Sequence, residues 1–314
     1  NTTLAAGGFL TLNSDATGSA IVAAIPAGCS ITGNVNVQRF IDGSSQTKRG
    51  YRLMSSTVFT GSPGGINVYD LDYMKQKMWV SGAGGAANGF NVTSTQNPSI
   101  YLFREDVTPP PSTATVFTTG YNWKGVAKIN NSPLYNIGTQ AKTTTTNIND
   151  FTTTIPVGNG MLVFDRGDNT TTAGRTVAPF NNVNSVTVTA VGQLNTGTIT
   201  VIPWYTGTPG FTYTPGSVSA DPNIKLIHGF ALVGNPYPAT INWERYNNTH
   251  TPANAITGTV GATIYEYNPA TKQYGTYTSS NSTSNTERGS GFTHYTNGGT
   301  NFIASGMGFF VVAT

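Results

Sequence analysis

The sequence predicts an all-β fold made of two related β-sandwich-like units behind an N-terminal β extension. Residues that favour strands dominate the composition, with 51 Thr, 15 Tyr and 15 Phe, while the usual helix formers are sparse. The 37 Gly and 17 Pro supply many positions at which short strands can end. Three segments recur in the same order in two parts of the chain, which predicts that the two units are related.

Charged residues make up only 9% of the chain, against roughly a quarter in ordinary soluble domains. The polar surface must therefore consist mainly of hydroxyl and amide groups, which the 51 Thr and 31 Asn supply. The 16 Lys and Arg are spread along the chain and the net charge is +3, so no nucleic-acid partner is expected. No apolar run approaches the length of a membrane-spanning helix, about 20 residues, so no membrane span is expected.

Residues 1–37 form the expected N-terminal extension, in which short apolar runs alternate with Gly, Asn and Ser. Evenly spaced short strands of this kind occur at the edge of a sandwich or in the last turn of a β-solenoid. The pattern leaves both alternatives open. The extension contains the single cysteine, Cys29, so the chain has no intramolecular disulfide.

The first sandwich-like unit is expected at residues 38–221, with strands at 50–60 and 99–103. Pro109, Pro110 and Pro111 begin a long Thr- and Asn-rich section. We interpret 108–150 as a surface excursion with some strand character, because large apolar residues interrupt it.

Residues 68–80 are the best helix candidate in the chain. Leu71, Met74 and Met78 follow the spacing of one helical face, and a Gly-rich stretch ends the segment soon afterwards.

Residues 183–203 are expected to form a β-hairpin. Apolar and polar residues alternate over 186–190, Asn195-Thr196-Gly197 supplies a turn, and 198–201 would form the return strand.

An internal repeat links the first unit to a second unit, expected at residues 222–314. Two segments read Ile-x-x-Gly-x-Gly followed by a hydrophobic strand, and two further pairs of segments correspond upstream of them. In chain order the pairs are 49–54 with 228–233, 100–103 with 263–267, and 155–164 with 303–312. Three pairs in one order predict a duplication.

Eight residues are predicted to have structural roles in turns. In each Gly-x-Gly pair, glycine permits a positive φ or a close backbone approach, and the strand that follows argues against a phosphate-binding loop. In Gly-Asn-Pro-Tyr-Pro, the two prolines fix φ and bias the residues before them towards extended conformations. The eight are Gly158, Gly160, Gly234, Asn235, Pro236, Pro238, Gly306 and Gly308.

Chemically reactive residues form no recognised constellation in the sequence. The three histidines, His228, His250 and His294, are far apart and lack a zinc-binding spacing, so no catalytic residue, metal or cofactor is expected. Glu244 and Glu287, with Glu266, could in principle supply the carboxylate pair of a glycosidase, but the spacing selects no pair.

The turn at residues 165–168 reads Asp-Arg-Gly-Asp. It partly fits a calcium loop and also contains a cell-attachment tripeptide, which occurs often by chance.

Four tryptophans are candidate glycan contacts, because a flat aromatic ring can cover the apolar face of a sugar. The alternative is that these rings lie in the core or pack across strands, as most aromatic residues on strands do. The candidates are Trp79, Trp123, Trp204 and Trp243.

Several motifs resemble a known group of proteins. The most distinctive is 229–243, Gly-Phe-Ala-Leu-Val-Gly-Asn-Pro-Tyr-Pro-Ala-Thr-Ile-Asn-Trp, and the others are 37–41, 49–56, 160–168, 264–269 and 303–311. Together they resemble the region that precedes the sorting domain in large surface proteins of Bacteroidetes secreted by the type IX system. The resemblance implies an extracellular, surface-attached β module of structural or adhesin-like type, and it carries over no catalytic residue.

The sequence departs from this pattern because no sorting domain follows Val312-Ala313-Thr314. We therefore expect either a processed mature form or a portion of a longer protein.

These observations favour a non-enzymatic extracellular structural or adhesive protein of the cell surface, and possible self-assembly into a filament or layer. Its expected partners are further copies of itself or other surface proteins, and residues 1–25 are the candidate strand-donating segment. The alternative is a glycan-binding module that uses exposed aromatic rings. A hydrolase with a carboxylate pair is a third hypothesis.

Overall fold

A computed structural model describes residues 2–82, 84–91, 98–103, 123–126, 128–130, 137–141, 149–204, 230–243, 260–279 and 295–312. These ranges contain 23 strands and one four-residue helix, α1 (Asp72–Lys75), so the prediction of an all-β fold is confirmed. Three short 3-10 turns lie at Gln46–Lys48, Pro63–Gly65 and Gly85–Asn88.

The strands are numbered in chain order. Those before residue 200 are β1 (Thr3–Ala5), β2 (Thr11–Leu12), β3 (Ser14–Asp15), β4 (Gly18–Ser19), β5 (Ser30–Thr32), β6 (Val35–Ile41), β7 (Gly50–Met54), β8 (Val58–Phe59), β9 (Val68–Tyr69), β10 (Ile100–Phe103), β11 (Trp123–Val126), β12 (Ile137–Ala141), β13 (Asn149–Thr153), β14 (Ile155–Pro156), β15 (Met161–Asp165) and β16 (Val186–Leu194). Those after it are β17 (Phe230–Gly234), β18 (Ile241–Asn242), β19 (Thr263–Asn268), β20 (Gln273–Thr278), β21 (Tyr295–Thr296), β22 (Phe302–Ile303) and β23 (Gly308–Val312).

Two antiparallel sheets share one strand order. The first sheet runs β7-β15-β10-β11-β12-β13 and the second runs β17-β23-β19-β20-β21. The three pairs of segments that repeat in the sequence lie on β7 and β17, β10 and β19, and β15 and β23, which occupy equivalent positions. Two small sheets, β9-β14 and β18-β22, are also equivalent, because each joins a strand from early in its unit to the strand just before the Gly-x-Gly turn.

The two main sheets pack face to face through one apolar layer, which we call the inter-sheet layer. Alternate residues of each strand enter it, as the period of two in a strand requires. Its buried members are Leu53, Phe103 and Leu162 from the first sheet and Leu232 and Phe310 from the second. The ring centroids of Phe103 and Phe310 lie 5.0 Å apart in an edge-to-face arrangement.

The other face of each main sheet is covered separately. Behind the first sheet lies a four-stranded sheet, β2-β6-β16-β8, together with the α1 segment, and these share a large buried cluster with β10 and β15. Behind the second sheet, Trp243 and Ile303 pack with Ile264 in a smaller cluster. The molecule is therefore layered, and the inter-sheet layer is common to both units.

The Gly-x-Gly turns make reciprocal contacts between the two units. The Ser55 N–H donates to the Gly306 carbonyl at 2.8 Å, and the Gly234 N–H donates to the Gly158 carbonyl at 2.9 Å. Ser55 directly follows β7 and Gly234 is the last residue of β17, so each unit's turn binds the end of the other unit's first strand. This is the pattern of a pseudo-two-fold relation.

Both reasons for glycine apply at these turns. The first glycine of each pair has a positive φ, 91° at Gly158 and 65° at Gly306. The second glycine lies against the partner strand. A Cβ on Gly160 would lie 2.8 Å from the Val233 carbonyl oxygen, and one on Gly308 would lie 2.9 Å from the Met54 nitrogen.

Two predicted elements differ in the structure. The helix expected over 68–80 shortens to α1, because Val68 and Tyr69 form β9, which pairs with β14. Leu71, Met74 and Met78 are nevertheless all buried. The hairpin expected over 183–203 does not form. Its first arm continues as β16 to Leu194 and pairs with β6 and β8, and residues 198–204 contain no strand.

The excursion expected over 108–150 contributes to the first sheet. β11 and β12 lie within it and extend the sheet beyond β10, whereas residues 108–122 are outside the described part of the chain.

The N-terminal extension forms one coil of parallel strands. β1 pairs with β5 so that Thr3 faces Ser30, and β2 pairs with β6 so that Thr11 faces Asn36. Parallel stacking of successive short strands is the geometry of a β-solenoid. The expected boundary after residue 37 falls inside β6, so the coil is continuous with the four-stranded sheet.

Candidate functional site

The most unusual buried side chain in the second unit is Glu266, in β19. Tyr101 pairs with Leu162 in the first sheet, and Tyr265 pairs with Phe310 in the second. Leu162 and Phe310 hold the same position in the repeat, so Tyr101 corresponds to Tyr265. The next residue in each strand is Leu102 and Glu266, which are therefore equivalent. Glu266 is only 5% exposed, although its equivalent is an ordinary core leucine.

The Glu266 carboxyl group is poorly compensated. Its Oε2 accepts a hydrogen bond from the Thr300 N–H at 2.8 Å, whereas Oε1 is buried and has no hydrogen-bond partner among the described residues. Burial raises the pKa of Glu266 to about 7, and the hydrogen bond from Thr300 offsets only part of this rise. Ionised and neutral forms therefore coexist near neutral pH.

A cavity of about 180 Å³ adjoins this carboxyl group, and we call it the Glu266 cavity. Its wall includes Asn268, Gly275, Gly298, Gly299 and Met307. The glycines pack backbone against backbone, because a Cβ on Gly275 would lie 2.7 Å from the Gly299 nitrogen. The wall around Glu266 therefore has little side-chain bulk.

No second acid accompanies Glu266 among the described residues that line this cavity. In the same described part of the chain, no three His, Cys, Asp or Glu side chains are grouped so that they could hold a metal ion. Glu244 and Glu287, and all three histidines, lie outside the described residues.

A second buried acid, Asp165 in β15, has a different environment. Its Oδ2 lies 3.1 Å from an Arg52 Nη as an ion pair without hydrogen-bond geometry, and its Oδ1 accepts from the Gly167 N–H at 2.8 Å. Burial still raises the pKa of Asp165, against the lowering effect of Arg52. Nearby, Arg175 donates to Asp168 at 2.7 Å.

The residue 165–168 turn is therefore built around arginine. Arginine partners occupy both carboxylates, which does not suit a calcium loop. Gly167 is buried, so the tripeptide is not an exposed loop tip.

The four candidate tryptophans do not form an exposed aromatic surface. Trp79 is 4% exposed and Trp243 is 2% exposed, so neither can cover a sugar ring, and this expectation was wrong. Trp123 and Trp204 are half-buried, and Trp123 packs edge-to-face against Phe103 and Phe310. Trp123 of β11 packs on the inter-sheet layer, and Trp243 is part of the cluster behind the second sheet.

The Gly-Asn-Pro-Tyr-Pro turn is organised by Asn235. Its amide donates to the carbonyls of Ala239 and Ile303 at 2.7 and 2.9 Å, and its Oδ1 accepts from the Tyr237 N–H at 3.0 Å. Gly234 lies directly against the Ser55 side chain, so this position has no room for a Cβ. Both prolines of the turn, Pro236 and Pro238, are buried. The Val22 N–H donates to the Pro238 carbonyl at 2.8 Å, which ties the N-terminal extension to the second unit.

β1 has one open side, which we call the β1 edge. β5 pairs with one side of β1, and no described residue pairs with the other. The Ala6 N–H donates to the Thr32 carbonyl, and the Thr2 carbonyl accepts from the Ser30 N–H. Because bonding to one neighbour alternates along a parallel strand, the peptide groups of Thr3 and Ala5 point to the open side.

Large apolar side chains are exposed in the N-terminal extension that contains β1. Phe9 is 94% exposed, Ile21 is 64% exposed and Leu4 is 51% exposed. Asp15 is the only Asp, Glu, Lys or Arg in the first 38 residues. The edge thus lacks the charges that usually protect an open strand.

Comparisons with protein-family models, curated proteins and solved structures found no match to this chain. Among the described residues, no helix has the length and apolar character needed to cross a membrane.

Proposed function

We propose that this protein is a non-enzymatic structural or adhesive module of an extracellular cell surface, and that its copies associate through the β1 edge. The observation that carries the proposal is an unpaired strand at the end of a parallel coil. Such an edge offers a row of peptide groups to a strand of another molecule.

Composition supports association at this edge. The N-terminal extension has few charges, so repulsion between two copies is weak, and burying Leu4 of β1 and the nearby Phe9 would remove apolar surface from water. The resemblance to secreted surface proteins of Bacteroidetes supports an extracellular location.

The partner that we propose is a β-strand of a second copy, stacked on β1 as β1 stacks on β5. The coil would then continue from one molecule into the next. Repetition of this contact, if it does not close on itself, would generate a filament.

The test uses proline to block the open side of β1. Ala5→Pro removes an N–H that points outward and leaves the bonds from Leu4 and Ala6 towards β5 intact, and proline is tolerated on edge strands. Ala5→Ser is the matched control, because it keeps the N–H.

We expect the wild-type chain and Ala5→Ser to assemble with increasing concentration in light scattering and electron microscopy. In Ala5→Pro, assembly should require at least about tenfold higher concentration, since about 1.4 kcal/mol corresponds to a factor of ten. Equal assembly by both variants, or a wild-type chain that stays monomeric throughout the series, would overturn the proposal.

A further inference from the structure

We propose that the Glu266 cavity binds a small organic ammonium group, whose N–H donors pair with the Glu266 carboxylate. The site lies in the second unit and shares no residue with the β1 edge, and the inference does not rest on the proposed function. Three steps lead to it.

The first step is the comparison with Leu102. At the equivalent position the first sheet has a fully buried leucine, so the fold itself does not require an acid there. A carboxylate buried without a partner costs free energy. Its presence beside an open cavity, with one oxygen unpartnered, indicates that a ligand supplies the missing partner.

The second step is the sign of the charge. The described residues that line the cavity include no Lys, Arg or His. The ionised carboxylate is therefore uncompensated within the described part of the chain. A neutral hydroxyl ligand would supply a hydrogen bond but would leave the charge unbalanced, whereas a cation supplies both.

The third step is the kind of cation. Calcium takes six to eight oxygen ligands and usually several carboxylates, whereas Glu266 is the one acid among the described residues that line this cavity. A cavity of about 180 Å³ is also large beside a single ion, since one water occupies about 30 Å³ of liquid. The space accommodates an ammonium group with a short carbon chain, and Met307 supplies an apolar contact.

The experiment titrates the full chain with n-butylammonium chloride and follows backbone amide signals by NMR. The Thr300 amide is the main reporter, because it donates to Glu266, and Gly298 and Gly299 report on the cavity wall. n-Butanol is the neutral control, and calcium chloride tests the metal alternative. We expect saturable shifts with n-butylammonium only, with a Kd on the order of 1 mM for so small a ligand.

Two variants test the role of the carboxylate. Glu266→Gln keeps the shape of the side chain and an oxygen for the Thr300 N–H but removes the charge. Glu266→Leu reproduces the side chain of the first sheet. Both should weaken n-butylammonium binding at least about tenfold, which corresponds to about 1.4 kcal/mol.

Four results would overturn the proposal: no saturable shift with n-butylammonium in the wild-type chain, equal shifts with n-butanol, unchanged affinity in Glu266→Gln, or a response to calcium alone. The last would replace the ammonium ligand with a metal. If neither variant folds, the comparison of n-butylammonium with n-butanol on the wild-type chain still decides the question.

Discussion

The two main sheets have the same strand order but place their buried charges differently. In the first sheet, Arg52 of β7 faces Asp165 as an ion pair, and its equivalent in β17 is the apolar Ala231. In the second sheet, Glu266 replaces the apolar Leu102, and its one hydrogen-bond donor among the described residues is the Thr300 N–H. The ion pair with Arg52 accounts for the burial of Asp165, whereas the incompletely paired Glu266 in a cavity wall is the basis of the proposed ligand site.

The largest expected effect comes from exchanging the two equivalent residues of this comparison. Leu102→Glu places an acid in the large buried cluster behind the first sheet and should destabilise the chain by about 4 kcal/mol or more. Glu266→Leu removes an unpaired acid and should cost less than about 1 kcal/mol, or stabilise the chain, at pH 8. Urea unfolding of both variants measures the asymmetry, and equal costs would show that the two sites are alike.

The pH dependence of stability is the next largest effect. The unfolded chain releases the Glu266 proton near 4.5, whereas the folded chain keeps it up to about pH 7. The contribution of this group to stability is therefore complete below pH 4.5 and is lost as the pH rises to about 7, with a total on the order of 3 kcal/mol.

Urea unfolding of wild type and Glu266→Gln between pH 4.5 and 8 isolates this contribution, because the other titrating groups are common to both proteins. The stability of the variant relative to wild type should increase across this range. Parallel pH profiles would contradict the assigned environment of Glu266.

The reciprocal turns should give matched effects of intermediate size. Gly160→Ala and Gly308→Ala each place a Cβ against backbone of the partner strand, at 2.8 and 2.9 Å, and each should cost about 2 kcal/mol. Gly50→Ala, at the start of β7, is the control, because nothing lies within 4 Å of its Cβ. Costs that differ by more than about twofold would break the pseudo-two-fold relation.

The smallest expected effect distinguishes the two buried tryptophans. Trp243 donates its indole N–H to the Ala262 carbonyl at 2.9 Å, whereas the buried indole N–H of Trp79 has no hydrogen-bond partner within the described ranges. Trp243→Phe should therefore cost about 1 kcal/mol more than Trp79→Phe. Thermal unfolding compares them, and a larger cost at Trp79 would be inconsistent with these contacts.

Local patterns in the sequence were sufficient to predict strands and turns. The repeated segments identify equivalent strands, because turn glycines and the alternation of apolar residues depend on neighbouring residues in the sequence.

Which strands pair with each other was harder to predict from the sequence. Val186–Leu194 alternates as predicted, but it pairs with β6 from near the start of the chain, and only tertiary packing determines that choice.

The candidate site was only partly predictable. Glu266 was one of three candidate acids, and nothing in the sequence was a reason to prefer it. Its burial depends on which face of β19 is covered, and the strand sequence alone does not determine that. One signal was present in the sequence: aligning the repeat places Glu266 opposite a core leucine. For the tryptophans the sequence left glycan contact and core packing open, because residue type alone does not show which side chains are buried.

The shared inter-sheet layer also governs how this chain can fold. Leu53 and Phe310 come from nearly opposite ends of the sequence, so their contact closes a very long loop, and folding through such contacts is slow. During synthesis the first sheet emerges with this apolar face bare until β17 and β23 follow. A partial chain that ends before residue 230 would expose that face, and we expect it to aggregate or to require a chaperone.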